Sequence, residues 1–164
     1  MEKDTVVIVP CEEKHMEDAL RITVQAWTII HEEFIRCIGE DLHETVMGNW
    51  QVGKTEEVAR KLRSGNGYVA LLNDKVVGFI SYAVVGDVGV IGGNAVDLSC
   101  RGHGIAGKMY NFVLDKMRSQ GLKAAQVHTG LDDAHAPARK AYEKAGFQKN
   151  LPSVTYYQDL REKA

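Results

Sequence analysis

Cysteine is scarce in this chain. Cys11, Cys37 and Cys100 are the only three in 164 residues, odd in number and widely separated. That pattern excludes a disulfide framework and a clustered zinc site, and it reads as free thiols in a reducing cytoplasm. No block of lysine and arginine stands out. Net charge is −2, from 20 basic and 22 acidic residues, so the electrostatic footprint of a general nucleic-acid binder is missing. No apolar run approaches the length that spans a bilayer. Met1-Glu2-Lys3-Asp4 lacks the apolar region of a secretory signal. Internal repeats, low-complexity tracts and Pro/Ser-rich linkers are absent too. These gaps predict a cytoplasmic protein with neither membrane nor nucleic acid among its partners. What is present is ordinary: 45% hydrophobic and 26% charged residues, in a length that fits one domain with a real core.

Hydrophobic patterning sets the expected elements. Residues 5–9 form a β-branched run ended by Pro10, a strand. Leu20, Thr23, Val24, Trp27 and Ile30 recur at helical spacing from about His15, and the pattern reaches Phe34 and Ile38 before Gly39. Residues 41–47 predict a short helix stopped by Gly48-Asn49. Val58 and Leu62 predict another over 56–63, closed by Ser64-Gly65-Asn66-Gly67. The character then changes. Residues 68–72, 75–85 and 88–96 read as strands joined by tight turns at Asn73-Asp74 and Gly86-Asp87, which makes an antiparallel meander. Gly89, Gly92 and Gly93 fall inside the last of these, where glycine marks a bulge or a close approach by a ligand. The next helix carries Ile105, Met109, Phe112, Val113 and Met117 on one face and ends at Ser119-Gln120-Gly121. Residues 123–129 are a strand, parallel to the one ending at Val96 because a helix crosses between them. Pro137 opens a last helix with Ala138, Ala141, Tyr142 and Ala145 on one face and Gly146 as its stop. Phe147 onward and residues 154–160 read as final strands. The expected class is α/β, a mixed sheet with helices on both faces.

From Asn94 to Lys108 the chain passes from a strand end, through a short polar connection, into a helix N-terminus at its glycines. The first N–H groups of a helix lack internal partners and sit at the positive end of its dipole. Gly102 and Gly104 clear the approach. The turn is therefore expected to hold a diphosphate. Its letters admit three readings. Gly102-His103-Gly104-Ile105-Ala106-Gly107 matches G-x-G-x-x-G and, with Lys108, almost matches G-x-x-x-x-G-K-[ST]. The phosphate-loop reading fails at Met109, where Ser or Thr would bind magnesium. The dinucleotide reading finds an acid in Asp132, but an antiparallel meander precedes the turn and too little chain follows for a doubly wound sheet. The third reading fits the whole order. Arg101-Gly102-His103-Gly104-Ile105-Ala106 satisfies [R/Q]-x-x-G-x-[G/A], and Tyr142-Glu143-Lys144-Ala145-Gly146-Phe147 closes a second signature of the form Tyr-Glu-Lys-x-Gly-Phe. On these residues the chain resembles the GNAT superfamily of acetyl-CoA-dependent N-acyltransferases.

The resemblance implies a single N-acetyltransferase domain over residues 5–160. Its fold would be a mixed, mostly antiparallel sheet with a splayed central parallel pair. The implied activity moves an acetyl group from acetyl-CoA to a primary amine by direct attack, without metal. The partner would be a small-molecule or peptide amine, and, since the family often forms dimers, a homodimer is expected as well. Arg101, Gly102, His103, Gly104, Ile105, Ala106 and Gly107 are implied to hold the diphosphate. Asn94, Ala95 and Val96 would pair with the pantetheine arm as a substitute strand, with the Val96 N–H aimed at the carbonyl oxygen. Tyr142 is implied to act as general acid toward the leaving thiolate, whereas its residue pattern alone reads as a packed aromatic. His135 stands where family members often carry Asn, and can donate and accept in its place.

Other residues keep open readings. No base is named: the strand before the turn offers Asp87 and Asp97, of which Asp97 shapes the connection. His128 has a suitable ordinary pKa, and a water chain would serve equally. Arg101, Lys108, Arg139 and Lys140 stand near the motifs and could add phosphate contacts. Trp27, Trp50 and Tyr82 are either an acceptor pocket or core. Glu32, Glu33, Glu40, Asp41 and Glu44 either attract a cationic amine or cover a solvated helix face. Two alternatives remain: the same fold as a non-catalytic acyl-CoA sensor or partner-binding module, and a nucleotide-binding enzyme using the same turn.

Overall fold

Two tight hairpins organise the sheet in the computed structural model, which describes residues 5–161. Strand β1 (Val6–Pro10) runs antiparallel to β2 (Gly67–Leu72), and β2 to β3 (Lys75–Val85). Asn73 and Asp74 between them both take positive φ, 51° and 62°. That is the handedness a two-residue turn needs to match strand twist. After Gly86-Asp87, β4 (Val88–Ile91) returns along β3.

The strand expected over 88–96 is interrupted. It stops at Ile91 and resumes as β5 (Ala95–Val96), still on β3. The Gly92 N–H donates to the Ser81 carbonyl at 2.8 Å, and Ala95 lies opposite Phe79. Gly93 and Asn94 together therefore face Ile80 alone, a β-bulge of one extra residue. Strand β6 (Ala124–Val127), shorter than the expected 123–129, pairs in parallel with β4, Val88 opposite Ala124 and Ile91 opposite Val127. Past that point β5 stays on β3 while β6 ends, so the two central strands part. The strand order is β1-β2-β3-β4-β6. This antiparallel start lacks the parallel core that the dinucleotide and phosphate-loop readings require.

Helices α1 (Met16–Ile38), α2 (Glu40–Met47) and α3 (Trp50–Leu62) precede the second strand. Helix α4 (Ile105–Ser119) links β5 to β6, and α5 (Ala136–Lys144) follows. Helix α3 begins earlier than expected because the Asn49 side chain accepts the Val52 N–H at 3.4 Å and caps it. Two cores result, one per sheet face. Ile22 and Val58 pack with Phe79 on one side, and Met109 and Val113 pack with Ile80 on the other. Each such side chain stabilises the fold by about 1.5–3 kcal/mol. Strand β3 serves both faces through a second irregularity. Ala70 lies opposite Gly78 and Leu71 opposite Val76, which leaves Val77 as an extra residue. Val77 and Ile80 thus join the α4 core while Val76 and Phe79 join the α1 core.

The final strands expected from Phe147 and over 154–160 do not form. Phe147 packs on the Tyr142 ring at 6.1 Å, but Leu151, Val154, Tyr156 and Leu160 are exposed. A strand needs a neighbour and a face to bury, and among the described residues this segment has neither.

Candidate active site

Where β5 and β6 part, a cleft of about 1080 Å³ opens. The glycine turn closes one end of it. Gly102 and Gly104 have φ of 82° and 73°, and no heavy atom lies within 4 Å of a Cβ built at Gly102, Gly104 or Gly107. Gly104 caps α4 without any side-chain bond, and the Lys108 N–H reaches the Gly104 carbonyl at 3.1 Å. The first-turn N–H groups of Ile105, Ala106 and Gly107 are therefore left at the positive end of the helix, beside open space. Arg101, Lys108 and Lys144 line the same end. Every predicted cofactor-binding residue from Asn94 through Gly107, and His135, lines the cleft except His103. The His103 ring is exposed, with Nδ1 at 3.1 Å from the Cys100 carbonyl, so only its backbone belongs to the turn.

The middle of the cleft holds the strand ends and two tyrosines. The Asp97 N–H donates to the Val77 carbonyl at 2.8 Å, toward β3. Alternation then turns the Val96 N–H the other way, into the gap. Thr129, on the β6 side, has a buried Oγ1 without a hydrogen-bond partner. Tyr142 is 7% exposed and stacks at a tilt on Tyr110, ring centres 5.0 Å apart. It is thus a packed aromatic and a cleft residue at once. Asn94 Nδ2 donates to the Tyr142 oxygen at 3.1 Å and to the Gly92 carbonyl at 3.2 Å, and the Tyr110 hydroxyl donates to Asn94 Oδ1 at 2.8 Å. Because the Tyr142 oxygen accepts, its own hydrogen remains available. Burial pushes the Tyr142 phenol above its ordinary range, against the opposing bond from Asn94, and burial raises Tyr110 as well. The Tyr142 phenol is therefore neutral near neutral pH. Tyr110 and the side chain of Asn94 escaped the sequence reading, although Tyr110 follows Met109 on the buried side of α4.

The flanking polar residues divide between bracing and exposure. Asp97 Oδ1 accepts from the Ser99 N–H and hydroxyl at 2.9 and 2.7 Å, and Oδ2 from Arg21 at 3.0 Å. The Ser99 bond above all holds its carboxyl below the usual range, so it shapes the connection. His135 Nδ1 lies 2.6 Å from Asp132 Oδ2. Burial raises the Asp132 carboxyl, but the His135 bond and charge outweigh it and the net direction is down. Arg139 donates to the carbonyls of Gly130 and Asp132, both at 2.7 Å. It braces the loop before α5, while Lys140 is exposed. His128 lines the cleft beyond the end of β6.

The far end is walled by α1 and α3. Trp27, Ile30 and Phe34 line it, with Lys54 Nζ 4.6 Å above the Trp27 ring. Glu57 accepts from Lys54 at 3.1 Å and from Lys61 at 2.5 Å. Burial raises its carboxyl, yet the bonds and charges of Lys61 and Lys54 prevail and hold it low. His31 stacks on Trp50 at 4.1 Å, and its Nδ1 meets His43 Nε2 at 2.8 Å. Burial, then the charges of His43 and Lys54, lower His31 to about 4, so it is neutral near pH 7. Of the three candidate aromatics only Trp27 reaches the cleft. Trp50 stands behind His31, and the buried Tyr82 donates to Gln120 at 3.1 Å. None of Glu32, Glu33, Glu40, Asp41 or Glu44 lines the cleft, and Glu33 pairs with Arg36. Lys54, Glu57 and Lys61 share a helix face by their spacing, a signal lost when the helix is started at residue 56. Among the described residues no group of three or more His, Cys, Asp or Glu could hold a metal, and no helix is long and apolar enough to cross a membrane.

Comparison with known proteins agrees with this architecture. The PaiA N-acetyltransferase of Thermoplasma acidophilum, solved with coenzyme A, superposes with a TM-score of 0.70 at 14% identity, over 88% of this chain and 90% of that one. The ribosomal-protein-S18-alanine N-acetyltransferase of Escherichia coli gives 0.68 at 17% identity, over 96% and 86%. An aminoglycoside acetyltransferase from an uncultured soil metagenomic sample, solved with sisomicin, gives 0.62 at 18%, over 94% and 96%. Likeness at such identities establishes the fold and nothing finer. No curated protein matches the sequence. A model of the acetyltransferase (GNAT) family does match, over residues 27–147. With the antiparallel start, the parting strands and the glycine turn all inside or beside that span, the chain belongs to the GNAT acetyltransferase family.

Proposed function

We propose that residues 5–160 act as one catalytic domain that transfers an acetyl group from acetyl-CoA to a primary amine by direct attack. The observation that carries this reading is the gap between β5 and β6, with the Val96 N–H turned into it and the neutral Tyr142 phenol beside it. Acetyl-CoA supplies a thioester whose carbonyl the amine attacks. The N–H groups from Gly102 to Gly107 hold the diphosphate, helped by Arg101 and Lys108. Asn94, Ala95 and Val96 pair with the pantetheine arm, and the orphan Thr129 Oγ1 gives that arm a polar contact on the other wall. The Val96 N–H stabilises charge developing on the carbonyl oxygen, a type of contact worth about 3 kcal/mol. Tyr142, oriented by Asn94, gives its proton to the leaving sulfur, and the proton that the amine loses as the amide forms returns through water to the phenolate, leaving an amide and a free thiol. His135 presents Nε2 to the cleft wall while Asp132 holds Nδ1.

A thiol-release assay over an amine panel tests this. Tyr142→Phe should lower kcat by about 100-fold or more with little change in coenzyme A affinity. Unchanged turnover in that variant removes Tyr142 from the chemistry. One observation favours the reading as a non-catalytic acyl-CoA sensor: both carboxylates that line the cleft are already engaged, Glu57 by Lys54 and Lys61 and Asp132 by His135, and make poor bases. Tight acetyl-CoA binding with no turnover on any amine would select it. We also propose a homodimer in the cytoplasm. The exposed apolar tail and the outer edge of β6 support self-association, since open strand edges seek partners. A monomeric mass by light scattering would refute the dimer.

A further inference from the structure

We infer that the acceptor amine also carries a carboxylate, which Lys54 and Lys61 receive at the far end of the cleft. This rests on the acetyltransferase reading and goes beyond it by naming a substrate class. The neighbouring soil enzyme is an aminoglycoside acetyltransferase, solved with sisomicin, a cationic amine. The far end of the cleft described here presents two ammonium groups to one carboxylate.

The two lysines and Glu57 are the charged side chains that α3 brings to the cleft. All three are partly buried, with side-chain exposures of 21%, 36% and 34% for Lys54, Lys61 and Glu57. One carboxylate between two ammonium groups leaves a positive charge in excess. Each ammonium has three donors, and Glu57 takes only one from each. The remaining donors can take an anion. The acidic stretch of α1 and α2, which would suit a polycation, does not reach the cleft.

The place of the pair matters as much as its sign. A Cβ built on Gly92 would lie 3.2 Å from Lys61 Cδ and 3.7 Å from its Nζ. The Gly92 carbonyl accepts from the same Asn94 amide that holds Tyr142. The ammonium of Lys61 therefore stands next to the bulge that positions the reacting groups. Trp27 closes on the neighbouring Gly93, a built Cβ there lying 3.6 Å from the ring. A carboxylate on Lys54 and Lys61 would leave an α-amino group facing the gap and an apolar side chain against Trp27, Ile30 and Phe34.

The test measures binding and turnover separately. Matched pairs, L-phenylalanine with phenethylamine and L-leucine with isoamylamine, are titrated by calorimetry into protein saturated with coenzyme A, with spermidine as a polycation. The carboxylate-bearing member of each pair should bind at least about tenfold more tightly. Lys61→Gln and Lys54→Gln should each shrink that ratio toward one while coenzyme A affinity and thermal midpoint stay at their original values. Equal binding within the pairs, preference for the decarboxylated amine or spermidine, or no binding of any amino acid overturns the proposal. Thiol release is followed with the same compounds and acetyl-CoA. A carboxylate preference in binding without any turnover would keep the anion site and sink the acetyltransferase reading. Turnover on decarboxylated amines alone would do the reverse.

Discussion

The two ends of the cleft are built from different materials. At the turn, the groups that face the space are main-chain N–H donors of Ile105, Ala106 and Gly107, exposed because glycines leave their surroundings open. At the far end they are side chains from α1 and α3: Trp27, Phe34, Lys54, Glu57 and Lys61. A backbone site is defined by chain geometry, and almost any side chain that keeps clear will do. A side-chain site is defined by identity, and one substitution changes its sign. The first kind suits the part of a reaction that never varies; the second suits the part that distinguishes one acceptor from another.

That contrast can be broken at several points. Val96→Pro removes the N–H that faces the gap but not one that pairs with β3, so it should lower kcat by about 100- to 1000-fold. Steady-state kinetics alongside a thermal melt would show whether chemistry or folding was lost. Gly104→Val places a branched side chain at φ 73° in front of the first turn of α4. It should weaken coenzyme A by about 100-fold, equivalent to roughly 3 kcal/mol, while leaving the affinity for pantetheine, which has no diphosphate, as it was. Equal losses for both ligands would mean that the turn does not read phosphate. Asn94→Ala frees the Tyr142 oxygen and should cost about tenfold in kcat with a smaller change in KM, measured against Tyr142→Phe in a double-mutant cycle. The smallest effect concerns pH. His31 folds with its pKa lowered from 6.5 to about 4, so the unfolded chain binds more protons between those values. Its contribution to stability is complete above 6.5 and is lost as pH falls toward 4. His31→Phe should flatten that part of the urea-unfolding profile without altering coenzyme A affinity.

The legible parts of the sequence were those with local causes. The Asn73-Asp74 and Gly86-Asp87 turns, the stop at Gly39 and the glycine turn depend on a few adjacent residues, and each stands where the letters place it. Three features did not follow. The break in the strand over 88–96 needs the register of β3 to show that Gly93 and Asn94 oppose one residue. The segment over 154–160 has β-prone letters, but a strand is made by its partner, and none is supplied. The Asn94–Tyr110–Tyr142 network is formed across elements far apart in the chain, so no local window contains it. Asn94 was read for its backbone, and its amide carries the more informative contact.

The doubled step at Gly93 and Asn94 has a last consequence. Gly92 and Asp97 both point their N–H groups at β3, although one is even in number and the other odd. In an uninterrupted ribbon Val96, not Asp97, would share the orientation of Gly92, and its N–H would be consumed inside the sheet. Parity, then, decides whether that N–H faces the gap. Side-chain replacements around it leave the orientation alone, whereas the loss or gain of one residue between Gly92 and Ala95 would swap inside for outside in a single step.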